Sequence, residues 1–261
     1  MSLSTLKSLL IQDNLGQYKN VAQRVCLIPL TKWVEGGSIW VRVGKDVLEK
    51  TVTNKLDSRL WGPFIDKGPY RYASRFRRTG SSPGVFYCSE RLDTALYECV
   101  FYLLVDELKS PLSGIPAQPL VRDLIYVQIE MANAVRLEFQ PFSSYEEFWL
   151  DLNSYEYTNI LTDLAHDCCS DGITYKSVRD PQKKSNCAIF NPDCFGSGNV
   201  LKEERILIHY PKSLLDLTAS FEIETTNYKY QIGIKEYING NLEMQKIYKF
   251  YCSEVTRSLG K

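Results

Sequence analysis

The chain has 261 residues, of which 44% are hydrophobic, and its 31 basic residues are balanced by 31 acidic residues. This hydrophobic content excludes a disordered chain, and the length is sufficient to enclose a sizeable core in one domain. No apolar run reaches the roughly eighteen residues that a membrane-spanning helix needs. The zero net charge argues against an extended surface for binding nucleic acid.

The N-terminal part is expected to contain one helix and two strands. Residues 1–13 have the apolar spacing of an amphipathic helix but lack the charged start, apolar centre and cleavage site of a signal peptide. Strands are expected at 24–30 and 38–43, followed by a loop-rich segment at 44–70 that contains two Gly-Pro pairs. We therefore expect the chain to remain in the cytoplasm.

The middle of the chain is expected to form a strand at 85–88 and then a helix capped by Asp93. The apolar positions of this helix share one face, namely Leu96, Cys99, Val100, Leu103 and Leu104. Glu98 is expected near the margin of that face. A carboxylate is rarely buried without a partner, so Glu98 is either a functional group or one half of an internal ion pair with an arginine.

The next segments continue the mixed pattern. Prolines and glycines at 111–119 indicate a surface connection, and a strand is expected at 123–131. Ser144 and Glu147 have the spacing of a capping box for a helix that runs to about His166. Further strands are expected at 173–178, 187–190 and 205–209.

The C-terminal part is expected to end in a β-hairpin. Residues 228–238 and 242–251 flank Asn239-Gly240-Asn241, which is a strong signal for a tight turn between strands. The hairpin would extend the sheet or offer a surface to a partner.

No metal site is expected. The eight cysteines include no Cys-x-x-Cys pair, and His166-Asp-Cys168-Cys169 has no second block that could complete a tetrahedral site. We expect free thiols in a reducing compartment.

A cluster of arginines is the strongest local signal for function. Eight residues contain four of them, Arg71, Arg75, Arg77 and Arg78, and Gly80 follows. The planar guanidinium binds phosphate oxygens two at a time and keeps its charge. With a glutamate downstream, the cluster indicates a site for a phosphate-bearing ligand; the alternative is a solvated loop.

Two blocks of this sequence resemble the RES domain, a family named for its arginine, glutamate and serine. The first block consists of Arg75-Phe76, Gly80, Phe86-Tyr87-Cys88-Ser89 and Thr94-Ala95-Leu96-Tyr97-Glu98. The second consists of Asp171-Gly-Ile-Thr-Tyr-Lys-Ser177-Val-Arg-Asp and Asn186-Cys-Ala-Ile-Phe190. The resemblance covers about residues 40–210, and the long spacing between Glu98 and Ser177 implies an inserted segment.

This resemblance implies a mixed α+β fold like that of ADP-ribosyltransferases, with a central β-sheet flanked by helices. We expect one RES-like domain over residues 1–261. Its motif-bearing core would lie at about 40–210, with an N-terminal extension at 1–39 and the hairpin elaboration at 211–261.

The resemblance also implies roles for single residues. Arg75 would hold a phosphate or the nicotinamide-side ribose of NAD, and Glu98 would stabilise the positive charge that develops on the ribose. Ser177 would orient a ribose or phosphate oxygen, and Tyr87 would stack on a ring of the substrate. The alternatives are a salt bridge for Arg75, an ion pair for Glu98, a turn serine for Ser177 and a core position for Tyr87.

An earlier arginine usually accompanies this set on the first strand. Arg42 is the favoured candidate, because it follows an aromatic residue in a strand-like run, and Arg24 is the competitor.

Characterised members of the family break the bond between nicotinamide and ribose. The resemblance thus implies an enzyme that degrades NAD by hydrolysis or phosphorolysis, with NAD as substrate, inorganic phosphate as an optional co-substrate and no cofactor. Such an enzyme is usually the toxin of a toxin–antitoxin pair, so an antitoxin protein is the expected partner, with a homodimer left open. The alternatives are a mono-ADP-ribosyltransferase that modifies a protein, and a non-catalytic binder of a phosphate ligand or nucleic acid.

Overall fold

A nine-stranded sheet forms the centre of the protein. The computed structural model describes Thr5, the backbone of residues 20–29, and residues 57–64, 73–81, 84–111, 113–152, 154–195, 200–239 and 241–259. The strands are β1 Asn20–Pro29, β2 Phe86–Ser89, β3 Leu120–Met131, β4 Ala134–Arg136, β5 Gly172–Lys176, β6 Ser185–Ile189, β7 Val200–His209, β8 Ser220–Glu224 and β9 Lys229–Gly233.

The helices of the described residues lie against this sheet. They are α1 Ser58–Trp61, α2 Leu92–Lys109, α3 Glu146–Trp149, α4 Glu156–Asp167, α5 Lys235–Ile238 and α6 Leu242–Leu259. Short 3-10 turns occur at Gly62–Phe64, Phe142–Tyr145 and Pro192–Cys194. The predicted α+β class, a central sheet flanked by helices, is confirmed.

The strand order is β4-β5-β6-β2-β1-β3-β7-β8-β9. Strands β4 and β5 pair in parallel, and the other pairs are antiparallel. Strand β1 pairs with β3 along its whole length, but it meets β2 at one residue pair, Val25 and Ser89. The two halves of the sheet are thus joined by very little backbone pairing at this point.

Helix α2 packs across the junction between the two halves. Its buried side chains, including Leu96, Val100 and Leu104, join a cluster with residues of β3, β7, β8, β9 and α6. A second cluster lies around β5, β6 and α4 and includes Phe76 and Trp149. Because α2 contacts both β1 and β2, the side chains on its other flank face the junction.

The predicted C-terminal hairpin is wrong. Strand β9 ends at Gly233, and the segment after Asn241 forms the eighteen-residue helix α6. The Asn241 side-chain oxygen accepts a hydrogen bond from the backbone N–H of Met244 at 3.0 Å, which is the geometry of a helix N-cap. The polar turn signal at 239–241 therefore begins a helix.

Two helix starts also differ from expectation. Helix α2 begins at Leu92 after Arg91, so Asp93 lies inside its first turn and does not cap it. The helix predicted from Ser144 to His166 is divided into α3 and α4, and the Ser144 hydroxyl donates to Gln140 Oε1 at 2.8 Å. Two strands, β4 and β8, were not predicted, and α1 lies within the segment predicted to be loop.

The other strand predictions agree with the structure within a few residues. The prediction of a strand at 38–43, and with it Arg42, lies outside the described residues, as does the helix at 1–13 apart from Thr5. The side chain of Arg24 on β1 is likewise outside the description.

Candidate active site

A pocket lies at the junction of the two halves of the sheet, on the side covered by α2. Its volume is about 330 Å³, within the range typical of sites for small molecules. The lining residues are Ser74, Arg75, Tyr87, Cys88, Ser89, Ala95, Glu98, Cys99, Tyr102, Leu103, Asp106, Arg122, Tyr175, Arg179 and Asn186.

One side of α2 supplies a long wall of the pocket. Ala95, Glu98, Tyr102 and Asp106 follow one another at intervals of three or four residues, so their side chains lie on one helical face. The strands supply a cross-strand row opposite this wall. Ser89 of β2 is paired with Asn186 of β6, and Asn186 is paired with Tyr175 of β5.

The Glu98 carboxylate is held by three hydrogen-bond donors. Its Oε1 accepts from Ser177 Oγ at 2.7 Å and from Asn186 Nδ2 at 2.8 Å. Its Oε2 accepts from Arg179 Nη1 at 2.5 Å, and this contact is also an ion pair. Charge-assisted bonds of this kind fix the position of a carboxylate strongly.

The residues that bind Glu98 are fixed in turn by further hydrogen bonds. Ser89 Oγ donates to Asn186 Oδ1 at 2.6 Å, which orients the amide so that its NH₂ group faces Glu98. Ser177 is fully buried, and its oxygen accepts from the backbone N–H groups of Arg179 and Asp180 at 3.2 and 3.1 Å. The position of the carboxylate is therefore determined by three elements, β2, β6 and the segment after β5.

Arg179 lies between the carboxylate and two aromatic rings. Its guanidinium carbon is 4.2 Å from the ring centre of Phe101 and 4.9 Å from that of Tyr102. Burial has the largest single effect on the pKa of Arg179 and lowers it, but the Glu98 carboxylate, together with Tyr102 and Tyr155, raises this pKa above its ordinary value. Its Nε is buried without a hydrogen-bond partner among the described residues.

Arg75 is almost completely buried, with 5% of its surface exposed. Its Nη1 donates to the main-chain oxygen of Trp149 at 2.6 Å, and its Nη2 donates to that of Asp151 at 3.0 Å. These carbonyls belong to the end of α3 and the segment after it, where a helix leaves acceptors unsatisfied. Two of the five guanidinium donors are thereby used, and the Arg75 Nε has no partner among the described residues.

The two guanidinium groups influence each other. Burial lowers the pKa of Arg75 from its ordinary value, and the positive charge of Arg179 lowers it further. Two like charges on the wall of one pocket favour an anionic ligand, because an anion would relieve their repulsion.

The hydroxyl of Tyr87 is tied to the segment that precedes β2. It lies 2.8 Å from Ser74 Oγ and accepts from the backbone N–H of Phe76 at 3.1 Å. Burial raises the pKa of Tyr87 to about 12, so the phenol is neutral near pH 7. The hydrogen bonds fix the orientation of the ring on the pocket wall.

Four of the predicted site residues thus come together around one pocket. Arg75, Tyr87 and Glu98 line it, whereas Ser177 lies behind Glu98 and contacts that carboxylate instead of the pocket. The salt bridge considered for Arg75 is absent from its described contacts, whose acceptors are carbonyls. The ion pair considered for Glu98 is present, with Arg179 as the partner.

Sequence reasoning did not select Arg179 and Asn186 for the site. Both stand in the second motif block, two residues after Ser177 and at the start of the Asn-x-x-x-Phe element. Their position in that block was the available signal.

The pocket thus brings a carboxylate and two arginines together at the junction of the two halves of the sheet. The family model for the RES domain matches residues 49–209, more than half of the sequence. The chain belongs to the RES-domain family.

Among curated proteins, none gives a significant match. Among solved structures, the chain is similar to one from the crystal structure of the M. tuberculosis MbcT–MbcA toxin–antitoxin complex. The identity is 7%, the TM-score is 0.47, and the match covers 77% of this chain and 92% of that chain.

Within the part of the chain that the structure describes, no helix is both long and apolar enough to cross a membrane. Across those same residues, no three His, Cys, Asp or Glu side chains converge in a group suited to a metal ion.

Proposed function

We propose that this protein cleaves the nicotinamide–ribose bond of NAD by hydrolysis or phosphorolysis. The observation that carries the proposal is the Glu98 carboxylate, fixed by three donors on the wall of a pocket that also contains two buried arginines. This arrangement lies within the segment that matches the RES domain.

The reaction requires little proton transfer at the leaving group. The bond between the ribose C1′ and the nicotinamide nitrogen breaks, and its electron pair goes to the nitrogen, which neutralises the positive charge of the ring. A water or phosphate oxygen then forms the new bond to C1′; with water, one proton is released. The pair of carboxylates that O-glycosidases use is therefore unnecessary.

Glu98 is the group that would stabilise the positive ribose in the transition state. A preorganised carboxylate close to C1′ lowers the barrier electrostatically, because it needs no rearrangement at the moment of reaction. Ser177, Asn186 and Arg179 would act through Glu98 as positioning residues. Arg179 also supplies the positive charge that pairs with the Glu98 carboxylate.

The two buried arginines would bind the phosphate and the ribose on the nicotinamide side of the substrate. Each arginine lines the pocket, and each is held in place by its other hydrogen bonds. Tyr87 would then stack on a ring of the substrate, since its hydroxyl is already engaged and its pKa of about 12 makes it unsuitable as a base near pH 7.

In a cell, an enzyme that consumes NAD must be restrained. We propose that this chain acts as the toxin of a toxin–antitoxin pair and that its partner is an antitoxin protein which covers the pocket. Transfer of ADP-ribose to a protein would use the same pocket with a different acceptor, so the first experiment below separates the two reactions.

Purified protein is expected to release nicotinamide from NAD with no protein acceptor present. The measurement is chromatography of nicotinamide and of the ADP-ribose product, with and without inorganic phosphate. An ADP-ribose phosphate product would identify phosphorolysis, and free ADP-ribose would identify hydrolysis. Intact NAD after long incubation with stoichiometric protein that binds NAD would contradict the proposal and favour the transferase.

Replacing Arg75 by lysine is expected to raise the KM for NAD about tenfold or more, because lysine cannot reproduce two contacts to carbonyls together with a contact to phosphate. The loss of one charged hydrogen bond also lowers the free energy of unfolding by about 1.5–3 kcal/mol. KM and thermal unfolding are the measurements.

Arg78→Lys is the matched control, since Arg78 is exposed and pairs with Asp163 outside the pocket. An unchanged KM in the Arg75 variant would remove Arg75 from substrate binding.

A further inference from the structure

The pocket extends well beyond the groups that the proposed reaction needs. From Glu98 to Asp106 its wall follows two turns of α2, which corresponds to about 12 Å at 1.5 Å per residue. Cys99, Tyr102 and Leu103 lie between these ends. One end of the pocket, which we call the channel, therefore lies at the Glu98 carboxylate, and its distal end lies at Asp106.

Arg122 of β3 also lines this pocket. It lies beside the Cys99 thiol, whose pKa burial raises to about 11 while the positive charge of Arg122 opposes the rise. The thiol is protonated near pH 7 and does not neutralise the guanidinium. Arg122 Nη1 donates to the main-chain oxygen of Val121 at 3.3 Å, and no carboxylate among the described residues forms an ion pair with it.

The lack of an ion pair with a described carboxylate distinguishes Arg122 from most of the other described arginines. Arg59, Arg78, Arg91 and Arg179 each pair with a carboxylate at 3.0 Å or less. An arginine that lines a pocket and keeps most of its donors available is suited to phosphate oxygens.

The order of groups along the channel matches the order of groups in a dinucleotide. With the nicotinamide ribose at Glu98, the pyrophosphate and then the adenosine extend away from the bond that is cleaved. Arg122, beside Cys99, follows Glu98, and Asp106 is seven residues beyond Cys99 on the same helix. A carboxylate accepts hydrogen bonds from ribose hydroxyls and repels a phosphate at the same place.

We propose that Arg122 and Asp106 form the adenosine-side subsite: Arg122 binds the phosphate on the adenosine side of the pyrophosphate, and Asp106 binds the hydroxyls of the adenosine ribose. The subsite selects the whole dinucleotide NAD and disfavours its 2′-phosphorylated form, NADP. This inference rests on the proposed cleavage of NAD for its orientation, and it assigns specificity to residues outside both motif blocks.

Binding of ADP tests the subsite without any chemical step, since ADP lacks the nicotinamide ribose. By calorimetry, ADP should bind to the purified wild-type chain, and Arg122→Met should weaken binding about tenfold to a hundredfold, the loss expected for a charged hydrogen bond. Arg205→Met is the matched control, because Arg205 lies on β7 outside the pocket and should change ADP affinity less than about twofold. Equal affinity in wild type and Arg122→Met would overturn the role of Arg122.

AMP and adenosine 2′,5′-bisphosphate test Asp106, since they differ by the 2′-phosphate alone. Wild type should prefer AMP, and Asp106→Asn should reduce that preference about tenfold by removing the repulsion, on the scale of one unit charge near the surface. Glu107→Gln removes a neighbouring carboxylate of α2 outside the pocket and should leave the preference unchanged. A preference that Asp106→Asn does not alter would overturn the role of Asp106.

The outcomes separate this inference from the proposed function. If the protein binds ADP through Arg122 but leaves NAD intact, the subsite is supported and the proposed reaction is contradicted. If the protein cleaves NAD but binds ADP equally well after Arg122→Met, the reaction is supported and the subsite is contradicted. Circular dichroism of each variant shows whether the fold is retained.

Discussion

Replacing Glu98 by glutamine is expected to lower the turnover of NAD by at least about a hundredfold, the scale of losing one electrostatic contact in the transition state. The amide has nearly the same shape as the carboxylate but carries no charge to stabilise the positive ribose. The kcat for nicotinamide release is the measurement, with NAD binding by calorimetry to show that the substrate still enters.

The same substitution is expected to destabilise the protein, so catalysis and stability must be separated. Three donors converge on Glu98, and glutamine cannot accept from all of them. Arg179 would also lose its counter-charge, and we expect a loss of about 1–3 kcal/mol in the free energy of unfolding.

The double variant Glu98→Gln/Arg179→Met provides the control. Removing the unpaired guanidinium is expected to recover part of the stability, because an isolated buried charge is unfavourable. Turnover should stay low. Near-wild-type turnover in either variant would remove Glu98 from the mechanism.

Expression of the chain alone in bacterial cells is expected to deplete cellular NAD and to arrest growth. The reason is that the pocket contains the carboxylate and the arginines to which we assign the proposed reaction. NAD in cell extracts and the growth rate are the measurements, and both should recover when Glu98→Gln is expressed at the same soluble level.

Arg78→Lys, outside the pocket, is the matched control for expression and should be as harmful as wild type. Normal growth and normal NAD at high soluble expression of the wild-type chain would contradict the toxin proposal. A slower enzyme, or one that requires an acceptor, would then be the remaining interpretation.

The sequence predicted which residues come together at the site better than it predicted the hydrogen bonds between them. Glu98 and Ser177 are 79 residues apart, yet their side chains are hydrogen-bonded, as two motif blocks of one family would require. The direction of the Ser177 hydroxyl could not be predicted, because it depends on the turn after β5, where the backbone N–H groups of Arg179 and Asp180 donate to it. Spacing along a chain carries no information about that turn.

The wrong hairpin shows why a turn signal is ambiguous. Asparagine is favoured in tight turns and also at helix N-caps, since its side chain bonds to nearby backbone N–H groups in both. The decisive pattern lies beyond it: Met244, Ile247, Tyr248 and Tyr251 recur at helical intervals and pack in the core cluster of α2. This spacing of apolar residues, about 3.6 residues per turn, indicates a helix. The hairpin prediction gave more weight to the turn signal at Asn239-Gly240-Asn241.

The single residue pair between β1 and β2 has a mechanical consequence. Beneath the junction, apolar side chains of β2, β3 and β6, including Phe86, Ile125 and Cys187, pack in one cluster across both halves of the sheet. Apolar contacts have no preferred direction, unlike the backbone ladders within each half. A small relative shift of the two halves would therefore break few backbone hydrogen bonds, and the junction is held together by side chains, namely this apolar cluster and the contacts of Glu98.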